Sequence, residues 1–159
     1  MIELRIDWKK LLISIAIPLG IGGLSALLTS GNMKLFEEIE KPPLSPPGWL
    51  FPVVWTILYV LMGVALYLVI ITKTKEDKRP AIISFAVQLF FNFFWSIIFF
   101  NVQAYLFAFI WLILLWVAIV GNIYFFNKIN TASAKLLVPY LVWVTFAGYL
   151  NLGIYILNG

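Results

Sequence analysis

Three stretches of the chain each carry a tryptophan together with a phenol or a side-chain amide at the three- and four-residue spacing of a helix face. Indole and phenol rings stack against flat apolar molecules, and amide groups pair with polar edges. The pattern therefore favours a pocket for a planar hydrophobic ligand. The three faces are Pro52, Trp55, Tyr59 and Gly63; Gln88, Asn92, Trp95 and Phe99; and Tyr140, Trp143, Ala147 and Asn151.

The chain contains no cysteine and no histidine. This composition excludes disulfides, thiol nucleophiles, imidazole general bases and zinc sites with the usual ligands. We therefore expect no metal site and no required cofactor. A nucleic-acid partner is not expected either.

The composition is that of a membrane protein. Hydrophobic residues make up 63% of the chain and charged residues 11%, whereas soluble domains average about 45–50% and about 25%. The uncharged runs divide into five segments, each long enough to cross roughly 30 Å of hydrocarbon. We expect an all-α integral membrane protein, one domain over residues 1–159, with five transmembrane helices and a long first loop. The expected spans are residues 11–29, 49–72, 81–100, 104–126 and 136–157.

The first apolar segment has two interpretations. The basic residues before it and Leu24-Ser25-Ala26 within it resemble a secretory signal peptide with a weak cleavage site. The run is longer than the usual core of a signal peptide, however, and its small residues suit close contact between helices. A retained transmembrane helix is therefore the favoured interpretation. The small residues are Gly20, Gly22, Gly23 and Ala26.

Lysine and arginine are distributed unevenly between the two sides of the expected bundle. Nine of the eleven lie on the side of the N-terminus, and only Lys34 and Lys41 lie on the other side. Because loops rich in Lys and Arg stay in the cytoplasm, we expect the N-terminus in the cytoplasm and the C-terminus outside a bacterial cell membrane. The spans carry no charged residue, which disfavours ion-coupled transport. The nine are Arg5, Lys9, Lys10, Lys73, Lys75, Lys78, Arg79, Lys128 and Lys135.

The first loop, at about residues 30–48, combines an acidic segment with a stiff proline-rich one. The acidic segment indicates a short surface helix over residues 33–40. Proline fixes its own backbone angle and keeps the preceding residue out of the helical region. The second segment is therefore expected to be a semi-rigid strut that delivers the chain to the second span. The strut residues and the tryptophan that follows them are Pro42, Pro43, Leu44, Ser45, Pro46, Pro47 and Trp49.

Some of the aromatic and polar residues have a simpler explanation. Trp8, Tyr105, Trp111 and Tyr124 lie near the expected span ends, where aromatic side chains anchor helices at the membrane interface. The amides of the third and fifth spans would serve equally well to tie helices together, because hydrocarbon offers them no other partners. Packing and ligand binding therefore both stay open for these amides.

The order and spacing of these motifs resemble the TspO/MBR family, which includes the translocator proteins (peripheral-type benzodiazepine receptors) and the bacterial tryptophan-rich sensory proteins. The resemblance covers the second to the fifth span in order. It rests on three motifs: Lys41-Pro42 … Pro46-Pro47 with Trp49, Trp55 and Leu58-Tyr59; Gln88-Leu-x-x-Asn92-x-x-Trp95-x-x-Ile98-Phe-Phe; and Leu136-Leu137-x-Pro139-Tyr140-Leu-x-Trp143-x-x-Phe146-Ala147-x-x-Leu150-Asn151.

The resemblance implies a five-helix bundle whose pocket opens towards the first loop, with that loop acting as a lid. The family binds porphyrins, notably protoporphyrin IX, and isoquinoline-carboxamide and benzodiazepine-type drugs, and its animal members bind cholesterol. Because haem would lack its common axial ligands here, free-base protoporphyrin IX is the expected ligand, with Lys34 or Lys41 available to its propionates. The expected ligand-binding residues are Trp55, Tyr59, Asn92, Trp95, Tyr140, Trp143, Ala147 and Leu150.

The chain departs from the family pattern in two places. It has Leu35-Phe36 where family members often have Trp-Tyr, and Leu44 where many have Trp, so the lid is expected to carry fewer aromatic and phenolic groups. No basic residue follows Tyr149 or Tyr155, so the sterol-binding pattern of the fifth span is incomplete. Sterol binding at that position is therefore not expected.

The sequence is compatible with a homodimer, but it does not identify the interface. Family dimers have been described with small residues on a face of the third span, where this chain has Ile83 and Val87. Gly22 and Ala26 in the first span form an alternative contact, because residues four apart lie on one face of a helix.

Three functions follow from the resemblance. The first is a membrane receptor or carrier for porphyrins and similar planar ligands. The second is light- and oxygen-driven degradation of protoporphyrin IX, known for some bacterial members, with Trp55 and Trp143 as the catalytic candidates. The third is a sensor or scaffold whose ligand occupancy is read by a partner protein.

Overall fold

The computed structural model describes residues 5–159, and no strand occurs within them. Five helical stretches of this part of the chain are long and apolar enough to cross a membrane. The expected all-α, five-span architecture is therefore confirmed, and the chain is an integral membrane protein. The helices are α1 (Trp8–Thr29), α2 (Met33–Glu38), α3 (Leu50–Ile71), α4 (Arg79–Ser96), α5 (Tyr105–Asn127), α6 (Thr131–Leu136) and α7 (Val138–Asn158).

The buried face of helix α1 consists of small and polar residues, whereas most of its large apolar side chains are exposed. Leu12, Ile17 and Leu27 lie on the outer surface of the bundle, and Leu27 is 71% exposed. In water this arrangement would leave a large apolar surface uncovered, whereas in a bilayer the lipid chains cover it. The face turned towards the bundle consists of Ser14, Pro18, Gly22, Ser25 and Thr29.

Two glycines allow α1 and α3 to approach each other closely. A Cβ atom at Gly22 would overlap the ring of Tyr59, and one at Gly63 would overlap the backbone of Ile15. Helix α1 thus packs as a member of the bundle, as the retained-helix interpretation expects. Gly20 and Gly23 were expected to share this role but face open space, because they lie on the other side of the helix.

Gly63→Ala should destabilise the protein by about 1–3 kcal/mol, because the added methyl group forces α1 and α3 apart. Gly23→Ala is the matched control. It adds the same methyl group at an open position, where alanine is the better helix former, and should leave stability unchanged or slightly higher. Denaturant unfolding in detergent, followed by circular dichroism, measures both. Equal stabilities would contradict the close contact between the two helices.

The third span ends in an unusual way. After α4, residues Ile97–Val102 form a π-helical turn, and Gln103 then reverses the chain with a left-handed backbone at φ 58°. The sequence predicts the break at residues 101–103 but not the π-helix. Because a π-helical turn contains an extra residue, it changes the direction of the side chains that follow α4. Phe99 and Phe100, which are adjacent in the chain, both reach the interior of the bundle.

Four of the five long helices, α1, α3, α4 and α7, surround a space at one end of the bundle. Helix α1 packs on α3 and also on α4, while α4 packs on α5 and α5 packs on α7. At this end α3 and α7 face each other through aromatic side chains. The first loop lies at the same end and consists of a 3₁₀ turn (Ser30–Asn32), α2 and the proline strut. Helix α2 ends at Glu38, two residues before the expected end of the surface helix.

Candidate ligand-binding site

A cavity of about 290 Å³ lies between α1, α3, α4 and α7, next to the first loop. Its wall is mainly apolar and aromatic, which suits a flat hydrophobic guest with few polar edges. Six of the eight expected ligand-binding residues line it. These six are Trp55, Tyr59, Trp95, Trp143, Ala147 and Leu150.

The tryptophans of α3 and α7 meet at this wall. The rings of Trp55 and Trp143 lie edge to face with their centroids 6.4 Å apart. Trp55 also stacks on Tyr59 at 5.6 Å, and Phe51 contacts Trp143 at 5.8 Å. These rings hold each other in defined orientations, because edge-to-face and offset-stacked arrangements are favourable. The cavity therefore presents a preformed aromatic wall.

Trp95 of α4 is fixed by a hydrogen bond to α7. Its indole Nε1 donates to Asn151 Oδ1 at 3.1 Å, and Asn151 Nδ2 donates to the Tyr105 carbonyl at 2.9 Å. Its ring stacks on Phe99 at 5.2 Å. Asn151 thus ties α4, α5 and α7 together and also lines the cavity. The Asn151 amide therefore has both roles: it holds helices together and it lines the cavity.

Trp143 differs from Trp95 in its hydrogen bonding. Its indole Nε1 is buried, and none of the described residues accepts a hydrogen bond from it. Buried donors are normally paired. The Trp143 side chain lines the cavity, while its Nε1 is a buried donor that the described residues leave unpaired.

Asn92 and Tyr140 are the two expected ligand-binding residues that do not reach the cavity. Both are almost fully buried, at 2% and 1% exposure, and lie behind Tyr59. Tyr59 donates from its hydroxyl to Asn92 Oδ1 at 2.8 Å, and Asn92 Nδ2 donates to the Tyr140 hydroxyl at 2.7 Å. Tyr140 in turn donates to Gln88 Oε1 at 2.7 Å. These side chains support the wall from behind rather than forming it.

Sequence reasoning missed the contribution of α1 to the cavity. Gly22, Ser25, Ala26 and Thr29 all line it. Their spacing of three, one and three residues places them on one face, which was interpreted as a packing face. Gly22 and Ala26 were also the alternative dimer contact; the structure buries Gly22 in the same chain, whereas Ala26 lines the cavity but stays exposed.

Phe36 of α2 was also missed as a cavity residue. It is 8% exposed and contacts Phe51, Phe99 and Phe100, with ring centroids 5.3–6.0 Å away. The first loop was expected to carry fewer aromatic groups than in the family. Phe36 nevertheless inserts an aromatic ring between the start of α3 and the π-helical turn. The first loop therefore keeps one aromatic group at the cavity.

The proline strut is attached to α7. Pro42 is buried against Gly153, where a Cβ atom would lie 2.6 Å from the Pro42 ring. The Tyr149 hydroxyl donates to the Pro43 carbonyl at 2.7 Å. Asn158 accepts a hydrogen bond from the Glu40 amide and donates one to its carbonyl. The strut is thus held in place by contacts along one helix.

Only one of the expected strut residues lines the cavity. Ser45 does so, and its hydroxyl donates to the Pro42 carbonyl at 2.7 Å. Leu44 has a left-handed backbone at φ 69° and is 83% exposed, and Trp49 is 68% exposed. Both point away from the cavity because the chain turns sharply here. The remaining prolines shape the path of the chain without contacting the cavity.

Comparison with known proteins places these features in a family. A model of the TspO/MBR family matches residues 14–157. The chain is 43% identical over 124 residues to the tryptophan-rich protein TspO of Chlorobaculum tepidum, covering 77% of this chain and 78% of that one. It is 39% identical over 150 residues to the TspO protein of Archaeoglobus fulgidus, covering 94% and 97%. The translocator protein of Bos taurus is 31% identical over 134 residues, covering 82% and 79%.

Proposed function

Because the chain belongs to the TspO/MBR family, we propose that it is a membrane receptor or carrier for protoporphyrin IX and similar planar hydrophobic ligands. Neutral aromatic drugs of the benzodiazepine and isoquinoline-carboxamide types belong to the same class of guest. The ligand is bound without a metal or a further cofactor. The N-terminus lies in the cytoplasm of a bacterial cell, and the first loop covers the cavity as a lid from outside.

The observation that carries this proposal is the aromatic cavity of about 290 Å³ between three tryptophan-bearing helices. Its walls are rigid rings, and rings of a macrocycle stack on such surfaces. The unpaired Nε1 of Trp143 adds a donor for a polar edge of the ligand. None of the described residues that line the cavity is an acidic group that would repel a carboxylate.

Protoporphyrin IX should quench the tryptophan fluorescence of the purified protein in a saturable manner, and Trp143→Phe should weaken binding about tenfold. The substitution keeps an aromatic ring but removes the buried donor, and a tenfold loss corresponds to about 1.4 kcal/mol. Trp8→Phe is the control, because Trp8 is exposed at the far end of α1. Absence of saturable quenching, or equal affinity in both variants, would contradict the proposal.

The edge-to-face pair of Trp55 and Trp143 on the wall also favours a second candidate, oxidative degradation of the bound porphyrin in light. The same complex distinguishes the two. Recovery of unchanged porphyrin after illumination supports a receptor or carrier. Product that forms in the unmodified protein and is lost in the double variant Trp55→Phe/Trp143→Phe supports degradation.

A further inference from the structure

Lys41 is the only lysine, arginine, aspartate or glutamate among the described residues that line the cavity. It lies in the first loop, between the end of α2 and the proline strut. A single charge on an otherwise apolar and aromatic wall discriminates strongly between ligands, because it meets its partner where water is scarce. Its environment therefore determines which ligands it favours.

The Lys41 ammonium group is held in place by the backbone. Its Nζ lies 3.2 Å from the Glu37 carbonyl and 3.3 Å from the Ile39 carbonyl, close to the end of α2. It also lies 4.8 Å from the centroid of the Phe36 ring, at cation–π distance. These contacts fix the direction of a side chain that would otherwise sample many rotamers.

One N–H of Lys41 is left for a ligand. An ammonium group carries three donors, and the two carbonyls take two of them. Within residues 5–159 no acidic side chain forms an ion pair with Lys41; the neighbouring Glu37, Glu38 and Glu40 carry exposed side chains and contribute only backbone atoms nearby. The charge is therefore oriented by the backbone, yet not paired with an acidic side chain of the described residues.

Most other polar groups of the wall cannot fill this role. The hydroxyls of Thr29, Ser30 and Ser45 donate to nearby backbone carbonyls. The donors of Trp95 and Asn151 are used within the bundle. An anionic group on the ligand would therefore gain most from contact with Lys41.

We infer that Lys41 selects ligands that carry a carboxylate at one edge of an apolar planar body. This inference rests on the proposed function and deepens it, since it distinguishes anionic from neutral guests of the same cavity. The carboxylate takes the free N–H of Lys41 in a charge-assisted hydrogen bond. Lys34 plays no such part, because it lies on the exposed side of α2 and does not line the cavity.

The test compares protoporphyrin IX with its dimethyl ester, which has the same ring but no charge. The unmodified protein should bind the acid at least tenfold more tightly than the ester, and Lys41→Met should abolish this preference while retaining affinity for the ester. Methionine keeps an unbranched apolar stem next to Phe36 and removes the charge together with the hydrogen bonds to the Glu37 and Ile39 carbonyls. Lys41→Arg should keep the preference, and Lys34→Met should leave it unchanged.

The ratio of the two affinities within one variant does not depend on how much of that variant is folded. A ratio near one in the unmodified protein, or a preference that survives in Lys41→Met, would overturn the inference and leave the proposed function standing. An equal loss of both ligands in Lys41→Met would show that Lys41 only supports α2, and would overturn it as well. Failure of the unmodified protein to bind either compound would overturn the proposed function together with this inference.

Discussion

Ala147→Phe should abolish binding of protoporphyrin IX. Ala147 is 6% exposed and lines the cavity from α7, so a phenyl ring at this position occupies space that the ligand needs. A cavity of about 290 Å³ leaves little room for adjustment. We expect at least a hundredfold loss of affinity, which corresponds to about 2.7 kcal/mol, in a fluorescence titration of the purified protein.

Val142→Phe provides the matched control for this prediction. It introduces the same side chain on the same helix, at a position that is 63% exposed on the outer surface of the bundle. Lipid accommodates the ring there, so affinity should not change. Thermal unfolding of both variants shows whether each is folded. Undiminished binding by a folded Ala147→Phe variant would place the ligand outside this cavity.

Asn92→Leu should lower the free energy of unfolding by about 2 kcal/mol, because it leaves the buried Tyr59 hydroxyl without an acceptor. Leucine has the same number of side-chain heavy atoms as asparagine and the same branching, so the substitution leaves no hole and the effect comes from the lost hydrogen bonds. Asn92 accepts from Tyr59 and donates to Tyr140, and both of these side chains are buried. Denaturant unfolding in detergent measures the loss.

The double variant Asn92→Leu/Tyr59→Phe separates this cause from simple disruption of the core. Replacing both partners of a buried hydrogen bond with apolar groups costs much less than removing one of them. The double variant should therefore recover at least half of the stability lost in Asn92→Leu. A double variant less stable than the single one would contradict the role of the Tyr59 hydroxyl as the orphaned group.

The sequence predicts the spans well because the thickness of the bilayer imposes a length on every uncharged segment. It also predicts the inward faces of α3, α4 and α7, but not that of α1, where Gly20 and Gly23 face open space. Helical spacing does not, however, give the distance of a side chain from the cavity. Trp55 and Tyr59 lie on the wall, whereas Asn92 and Tyr140, which share the same pattern, lie one layer behind. The distance of a side chain from the cavity depends on which neighbouring helix lies between the two.

The parts of the site that could not be predicted depend on contacts between distant residues. Tyr149 and Pro43 are 106 positions apart and share no sequence pattern, yet the Tyr149 hydroxyl donates a hydrogen bond to the Pro43 carbonyl. Phe36 could be identified as aromatic but not as buried, because a helix of six residues has too short a pattern to define an inner face. The π-helical turn has no comparable signal, since its apolar residues continue those of α4.

The attachment of the proline strut has a mechanical consequence. Glu40, Pro42 and Pro43 are joined to Asn158, Gly153 and Tyr149 along one edge of α7. Contacts at three points along one helix prevent the strut from rotating about any one of them, so the strut and α7 behave as one rigid unit. The sequence predicts a semi-rigid strut here, and in the folded chain that strut is attached to α7. Widening the cavity at this end requires α2 to swing while the strut stays in place.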